Sequence, residues 1–78
     1  MEKLLEFIVK SISSKPEEVK VKTQKGEEGQ IEFHLQANQE DLKIIIGKKG
    51  RTIRAIRNLL KLKAFKEGQK FNLIIDEE

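Results

Sequence analysis

Between Glu2 and Ile75 the spacing of the apolar residues switches from helical to alternating, back to helical, and again to alternating, so few arrangements can bury them all within 78 residues. From Glu2 to Ser13, Leu4, Leu5, Ile8, Val9 and Ile12 fall on one helical face, with Glu and Lys opposite. Ser13-Ser14-Lys15-Pro16 ends this helix, and Pro16-Glu17-Glu18 suits one short turn because proline is tolerated at a first helical position. Val19 to Thr23 and Ile31 to Leu35 alternate with period two, and the intervening Lys25-Gly26-Glu27-Glu28-Gly29 reads as the reversal of a β-hairpin. Asn38 can cap the next helix by accepting a backbone N–H, and Asp41 adds negative charge to its first turn. Leu42, Ile45 and Ile46 give that helix an apolar side, which stops at Gly47-Lys48-Lys49-Gly50. A further helix runs from Arg51 to about Lys66, with Ile53, Ile56, Leu59 and Leu60 toward the interior, joined by Leu62 or by Ala64 and Phe65. Gly68 stops it, Phe71, Leu73 and Ile75 alternate in a last strand, and Asp76-Glu77-Glu78 reads as a solvated tail. The order helix, strand, strand, helix, helix, strand predicts one α+β domain over residues 1–78, with helices covering one face of a three-stranded sheet.

A domain of this size buries only roughly 60 to 65% of its unfolded surface, which leaves little interior for an enclosed active site. With no cysteine and one histidine, disulfides, thiolate nucleophiles and the usual zinc ligand sets are excluded. No nucleophile–base pair can be named, and the spacing of the Gly-Lys-Lys-Gly segment is not that of a nucleotide-binding P-loop. An enzyme, a cofactor, a metal and a small-molecule substrate are therefore not expected. No apolar run approaches the ~18 residues of a membrane span, and Met1-Glu2-Lys3 does not open a secretory signal, so the expected location is the cytoplasm, away from membranes. His34 reads as an exposed strand residue, Glu17, Glu18, Glu27 and Glu28 as solvated turn residues, and all four Phe as core.

The formal net charge is only +3, with 16 basic and 13 acidic residues. Its distribution carries more information. From Leu42 through Lys66 there are nine basic residues and no acid, so the remaining chain holds seven basic and 13 acidic residues, a balance of −6. One continuous stretch of +9 on an otherwise acidic domain points to a polyanionic partner. Within it, two glycines let the backbone approach a ligand with no Cβ in the way, and a helix N-terminus with free N–H groups follows at once. That combination favours phosphate, and Lys48 and Lys49 add two cations to the same place. Arg51, Arg54, Arg57 and Lys61 step by three, three and four along the following helix, a basic stripe leading away from the loop; Lys61 and Lys63 lie farther from it.

Ile45-Ile46-Gly47-Lys48-Lys49-Gly50-Arg51-Thr52-Ile53 resembles the KH-domain pattern of an apolar pair, Gly-x-x-Gly and an apolar residue three positions on. The whole chain is similar to bacterial type II KH domains. Asp41-Leu42 and the run Gly50-Arg51-Thr52, Ala55-Ile56-Arg57 narrow the resemblance to the small stand-alone proteins of the KhpA type. The resemblance implies a type II KH fold with a three-stranded mixed sheet, and single-stranded RNA as ligand. Gly47, Lys48, Lys49 and Gly50 would clamp the backbone of about four nucleotides, with Ile45, Ile46 and Ile53 lining the groove for the bases. From the residues alone those isoleucines read equally as core. Lys43-Ile44 departs from the family pattern, which has a smaller residue there. With neither Trp nor Tyr to stack bases, recognition should be weak and permissive, in keeping with a post-transcriptional regulator or RNA chaperone. The resemblance also implies pairing as a homodimer or as a heterodimer with a longer KH-containing protein, so a protein-interaction subunit with weak or no RNA binding is the alternative. Duplex DNA binding by a helix-turn-helix fits less well, because the basic residues crowd the loop as well as the helix and Asn58 alone could read an operator.

Overall fold

Leu5 and Val9, one turn apart near the start of the chain, are fully buried and fix the inner face of the first helix, α1 (Glu2–Ile12). The computed structural model describes residues 1–76, and the expectation for Glu77 and Glu78 lies outside the described residues. A single 3-10 turn over Pro16–Glu18 follows α1, with Pro16 at its first position. Next come strands β1 (Lys20–Lys25) and β2 (Ile31–Gln36), then α2 (Gln39–Ile46), a second 3-10 turn at Lys48–Gly50, α3 (Arg51–Glu67) and strand β3 (Phe71–Ile75). This is the α-β-β-α-α-β order that the resemblance to type II KH domains implies.

β1 and β2 form the expected hairpin, antiparallel from Lys20 opposite Gln36 to Lys25 opposite Ile31. β1 starts at Lys20 and not at Val19, and it extends to Lys25 because its pairing with β2 continues past the last apolar residue of the alternation. β3 runs parallel to β2, from Phe71 beside Ile31 to Ile75 beside Leu35. A parallel neighbour demands a long crossover, and α2 and α3 provide it. The sheet order is β1-β2-β3, so it is mixed and β3 is an edge strand, paired with β2 alone. No helix among the described residues is long and apolar enough to cross a membrane.

The core is drawn from every layer: Leu5 and Val9 of α1, Phe33 and Leu35 of β2, Leu42 and Ile45 of α2, Ile53, Ile56 and Leu60 of α3, and Leu73 of β3. Each fully buried Leu or Ile side chain, such as Leu60 or Ile45, contributes about 1.5–3 kcal/mol relative to exposure. α3 inserts one line of residues, Ile53, Ile56, Leu60 and Ala64, whose spacing keeps them on a single face. The expectation that Leu59, Leu62 and Phe65 also turn inward is overturned: they are 51%, 67% and 86% exposed. They lie well around the helix from the line that Leu60 occupies, and one helix cannot bury its whole circumference against one sheet. The expectation that all four Phe are core fails with it. Phe33 is buried and Phe71 packs on it at 6.2 Å between ring centroids, whereas Phe7 is 71% exposed on the outer side of α1.

Asp41 stands in the first turn of α2 as expected, and it is also the one buried charged residue of the described core. Its Oδ1 accepts from the backbone N–H and the hydroxyl of Ser14, both at 2.8 Å, and its Oδ2 accepts from Lys15 N at 3.0 Å and Asn38 Nδ2 at 2.8 Å. Asn38 returns the contact, its Oδ1 accepting from Asp41 N at 2.9 Å, which is the expected cap of α2. Hydrogen bonds from Ser14, first of all its backbone N–H, hold the Asp41 carboxyl at about 2, below its usual 3.8. One carboxylate thereby ties the end of α1 to the start of α2, and α2 delivers the Gly-Lys-Lys-Gly segment.

Asp76 also departs from its expected place in a free tail. Its backbone N–H continues the ladder onto Leu35 O at 2.9 Å, and its carboxylate lies 3.4 Å from both His34 Nδ1 and Gln36 Nε2. His34 is accordingly half-buried on the uncovered face of the sheet rather than exposed, between Asp76 and Glu32.

Candidate nucleic-acid interface

α2 ends at Gly47, and the chain turns into α3 within four residues. Gly47 has φ 76° and ψ 174°, and a Cβ at this position would stand 2.9 Å from Thr52 N and closer still to the Thr52 side chain. No L-residue fits without moving the first turn of α3. Lys49 (φ 56°, ψ 26°) and Gly50 (φ 74°, ψ 18°) are both left-handed, and Lys49 is the one non-glycine residue of positive φ among the described residues. A left-handed lysine is strained, and such strain persists where surrounding structure enforces it, characteristically at ligand clamps. The enforcement is visible: Gly50 N bonds Gly47 O at 3.1 Å, and the Arg54 guanidinium reaches back to donate to Lys49 O at 3.2 Å.

These dihedrals send the loop directly into α3, whose N-cap, Gly50, has no side chain to close the helix end. The positive end of a 17-residue helix dipole therefore opens onto a loop carrying the exposed cations Lys48 and Lys49. The arrangement can receive a phosphate through backbone and charge together.

The site residues named from sequence separate into three groups. Gly47, Lys48, Lys49 and Gly50 form one continuous turn. Arg51 and Arg54 are exposed and Arg57 is half-buried, all on the first two turns of α3 above that turn. The isoleucines divide: Ile45 is fully buried, Ile53 is nearly so, and Ile46 keeps part of its surface. Ile45 has no surface for a base to touch and supports the site from beneath. Ile44, about half exposed, adds an apolar side chain at this end of α2.

Arg57 and Lys61 face the β3 edge across a shallow groove whose other wall is Phe71 to Ile74. A basic helix flank thus lies beside an edge strand with one row of unpaired backbone groups. Lys63, two residues from Lys61, points around the other side of the helix, where it pairs with Glu67 at 3.8 Å. Among the described residues no group of three or more His, Cys, Asp or Glu could hold a metal ion.

The family model described as KhpA/KhpB, KH domain, matches residues 2–75. The RNA-binding protein KhpA of Clostridium perfringens is 44% identical over 70 residues, 90% of this chain and 92% of that protein. The protein of the same name from Chlamydia trachomatis is 44% identical over 78 residues, 100% of this chain and 99% of its own. The Streptococcus pneumoniae KhpA is 37% identical, again over 78 residues, 100% of this chain and 96% of its own.

Proposed function

The chain belongs to the KhpA/KhpB KH-domain family, and from that membership we propose that it binds single-stranded RNA through the turn Gly47 to Gly50. It acts by binding and not by catalysis. The observation that carries the reading is the strained left-handed Lys49 at the uncapped N-terminus of α3, inside a stretch of nine basic residues and no acid. Lys48 and Lys49 neutralise phosphates while the α3 N-terminus and the loop backbone receive a phosphate oxygen. Arg54 has two roles, holding the Lys49 carbonyl and extending the positive surface toward Arg57. The strand then follows the α3 flank, with Ile46 and Ile44 as apolar surface near the clamp. Backbone-dominated contact of this kind is permissive of sequence, which suits a post-transcriptional regulator or RNA chaperone.

Titration of isotope-labelled protein with a short unstructured RNA tests this reading. Amide shifts should concentrate at Gly47 to Ile53 and along Arg54 and Arg57; shifts confined to α1 and β1 would contradict it.

A second reading, association with another copy or with a longer KH-containing protein, is favoured by Leu59 and Leu62. They stand three residues apart on the outer face of α3, half or more exposed. The two readings are compatible, because that face points away from the line of Arg54 and Arg57 toward β3.

A further inference from the structure

Phe65 is the most exposed large apolar side chain of the described residues. It also continues the basic stripe: Arg54, Arg57, Lys61 and Phe65 follow one another at steps of three and four along a single flank of α3. Fifteen residues separate Gly50 from Phe65, about 22 Å of helix axis.

From Arg57 to Phe65 the grooved surface beside α3 is continuous. Lys61, Phe71 and Asn72 line the groove beside Arg57 and also the larger open depression at the far end of α3. Phe65 forms one side of that depression, and Phe71, braced from behind by Phe33, belongs to its floor. Its polar lining is mostly amide and cationic: Gln30, Gln69, Asn72, Lys61 and Lys70, with Glu28 of the hairpin turn as the one acid.

From these observations we infer that the depression beside Phe65 receives a nucleobase of the same RNA strand, beyond the nucleotides held at the clamp. The inference rests on the clamp reading given above. An exposed aromatic ring supplies the stacking surface that the strand otherwise lacks, and stacking accepts any base. Carboxamides at Gln69 and Asn72 can pair with base edges, and Lys61 and Lys70 neutralise the adjoining phosphates. The basic flank between the two places supplies the charge complementarity that commits this surface to a polyanion. A single chain would then grip RNA at two points, by its backbone at Gly47 to Gly50 and by a base at Phe65.

The protein has no tryptophan, so Phe65→Trp introduces a unique fluorophore at the proposed stacking point. The probes are randomised oligoribonucleotides of four and of eight residues. The octamer should quench the fluorescence of the F65W protein and the tetramer should not. Phe65→Ala, in a protein whose circular dichroism is unchanged, should weaken octamer binding by roughly five- to tenfold and leave tetramer binding alone, with Phe65→Trp restoring it. If both oligonucleotides bind the wild-type chain but neither variant responds, the second contact is refuted and the clamp stands. Should neither oligonucleotide bind the wild-type protein, the clamp reading fails and this inference with it. A Phe65→Ala variant that changes self-association while RNA affinity stays constant would assign the ring to a protein contact and overturn the inference.

Discussion

The carboxylate of Asp41 accepts both the backbone N–H and the hydroxyl of Ser14 at 2.8 Å, joining two residues 27 positions apart at the junction of α1 and α2. Because α2 leads straight into the turn Gly47 to Gly50, the contact positions that turn from the far end of the helix. Replacing Asp41 with Ala removes the shared acceptor of four donors on Ser14, Lys15 and Asn38, residues that water can partly reach, and the melting temperature should fall by roughly 5 °C or more. Asp41→Asn should recover part of that loss by keeping one acceptor. Differential scanning calorimetry reads both.

The same carboxylate sets an acid limit. Its value in the folded chain, about 2, lies below the ordinary 3.8, so the unfolded chain binds the proton more readily. Its contribution to stability is therefore complete above about pH 5 and is lost as the pH falls from there through 3.8 toward 2. Urea midpoints measured from pH 6 down to pH 2.5 should decline more steeply in the wild-type chain than in Asp41→Asn. Parallel curves would remove Asp41 from the account.

Gly47 and Gly50 should respond differently to the same substitution. Alanine at Gly50 meets nothing closer than 3.9 Å, so only its left-handed dihedrals are penalised, by about 1 kcal/mol. Alanine at Gly47 collides with the backbone of Thr52 and should cost more than about 2 kcal/mol, or displace the start of α3. Chemical denaturation gives the two energies, and amide shifts at Thr52 and Ile53 report any displacement.

Along α3, Leu59, Leu60 and Leu62 separate stability from association. Leu60→Ala removes a fully buried side chain and should cost about 3 kcal/mol. Leu59→Ala and Leu62→Ala should each stay within about 0.5 kcal/mol of wild type. If the outer face pairs with another copy, the Leu59/Leu62 double variant should sediment as a smaller species. Unchanged sedimentation of a dimer would locate the contact elsewhere.

The helical and alternating periods in the sequence were sufficient for the order of elements, because each apolar stripe had one face to bury. The Gly-Lys-Lys-Gly turn was equally legible, since glycine spacing and charge are local properties. What could not be read depended on which segments meet in space. Asp41 looks like any acid in a first helical turn, and its burial is decided by Ser14 and Lys15, which belong to a different loop. α3 carries apolar residues around much of its circumference, so periodicity alone could not separate the buried Leu60 from the exposed Leu59, Leu62 and Phe65. Ile45 and Ile46 look alike in sequence; one has no free surface and the other keeps some. Asp76 reads as the start of an acidic tail until β3 is seen to align it with His34 and Gln36.

Salt dependence distinguishes the flanks of α3. Each phosphate neutralised on a single strand contributes about 0.7 to the slope of log affinity against log salt. Arg57→Ala should lower the magnitude of that slope by about this amount, whereas Lys63→Ala, on the opposite flank and paired with Glu67, should leave it nearly unchanged. Equal effects would mean a diffuse positive field and no defined path.

The most direct test of the clamp is the charge-reversed variant Lys48→Asp/Lys49→Asp, compared with wild type by fluorescence anisotropy on a labelled single-stranded RNA at two salt concentrations. Both side chains are exposed, so the variant should fold normally. Its affinity should fall by at least roughly a hundredfold at the lower salt, with any residual binding showing a shallower salt dependence. Unchanged affinity and slope in a folded variant would contradict the account.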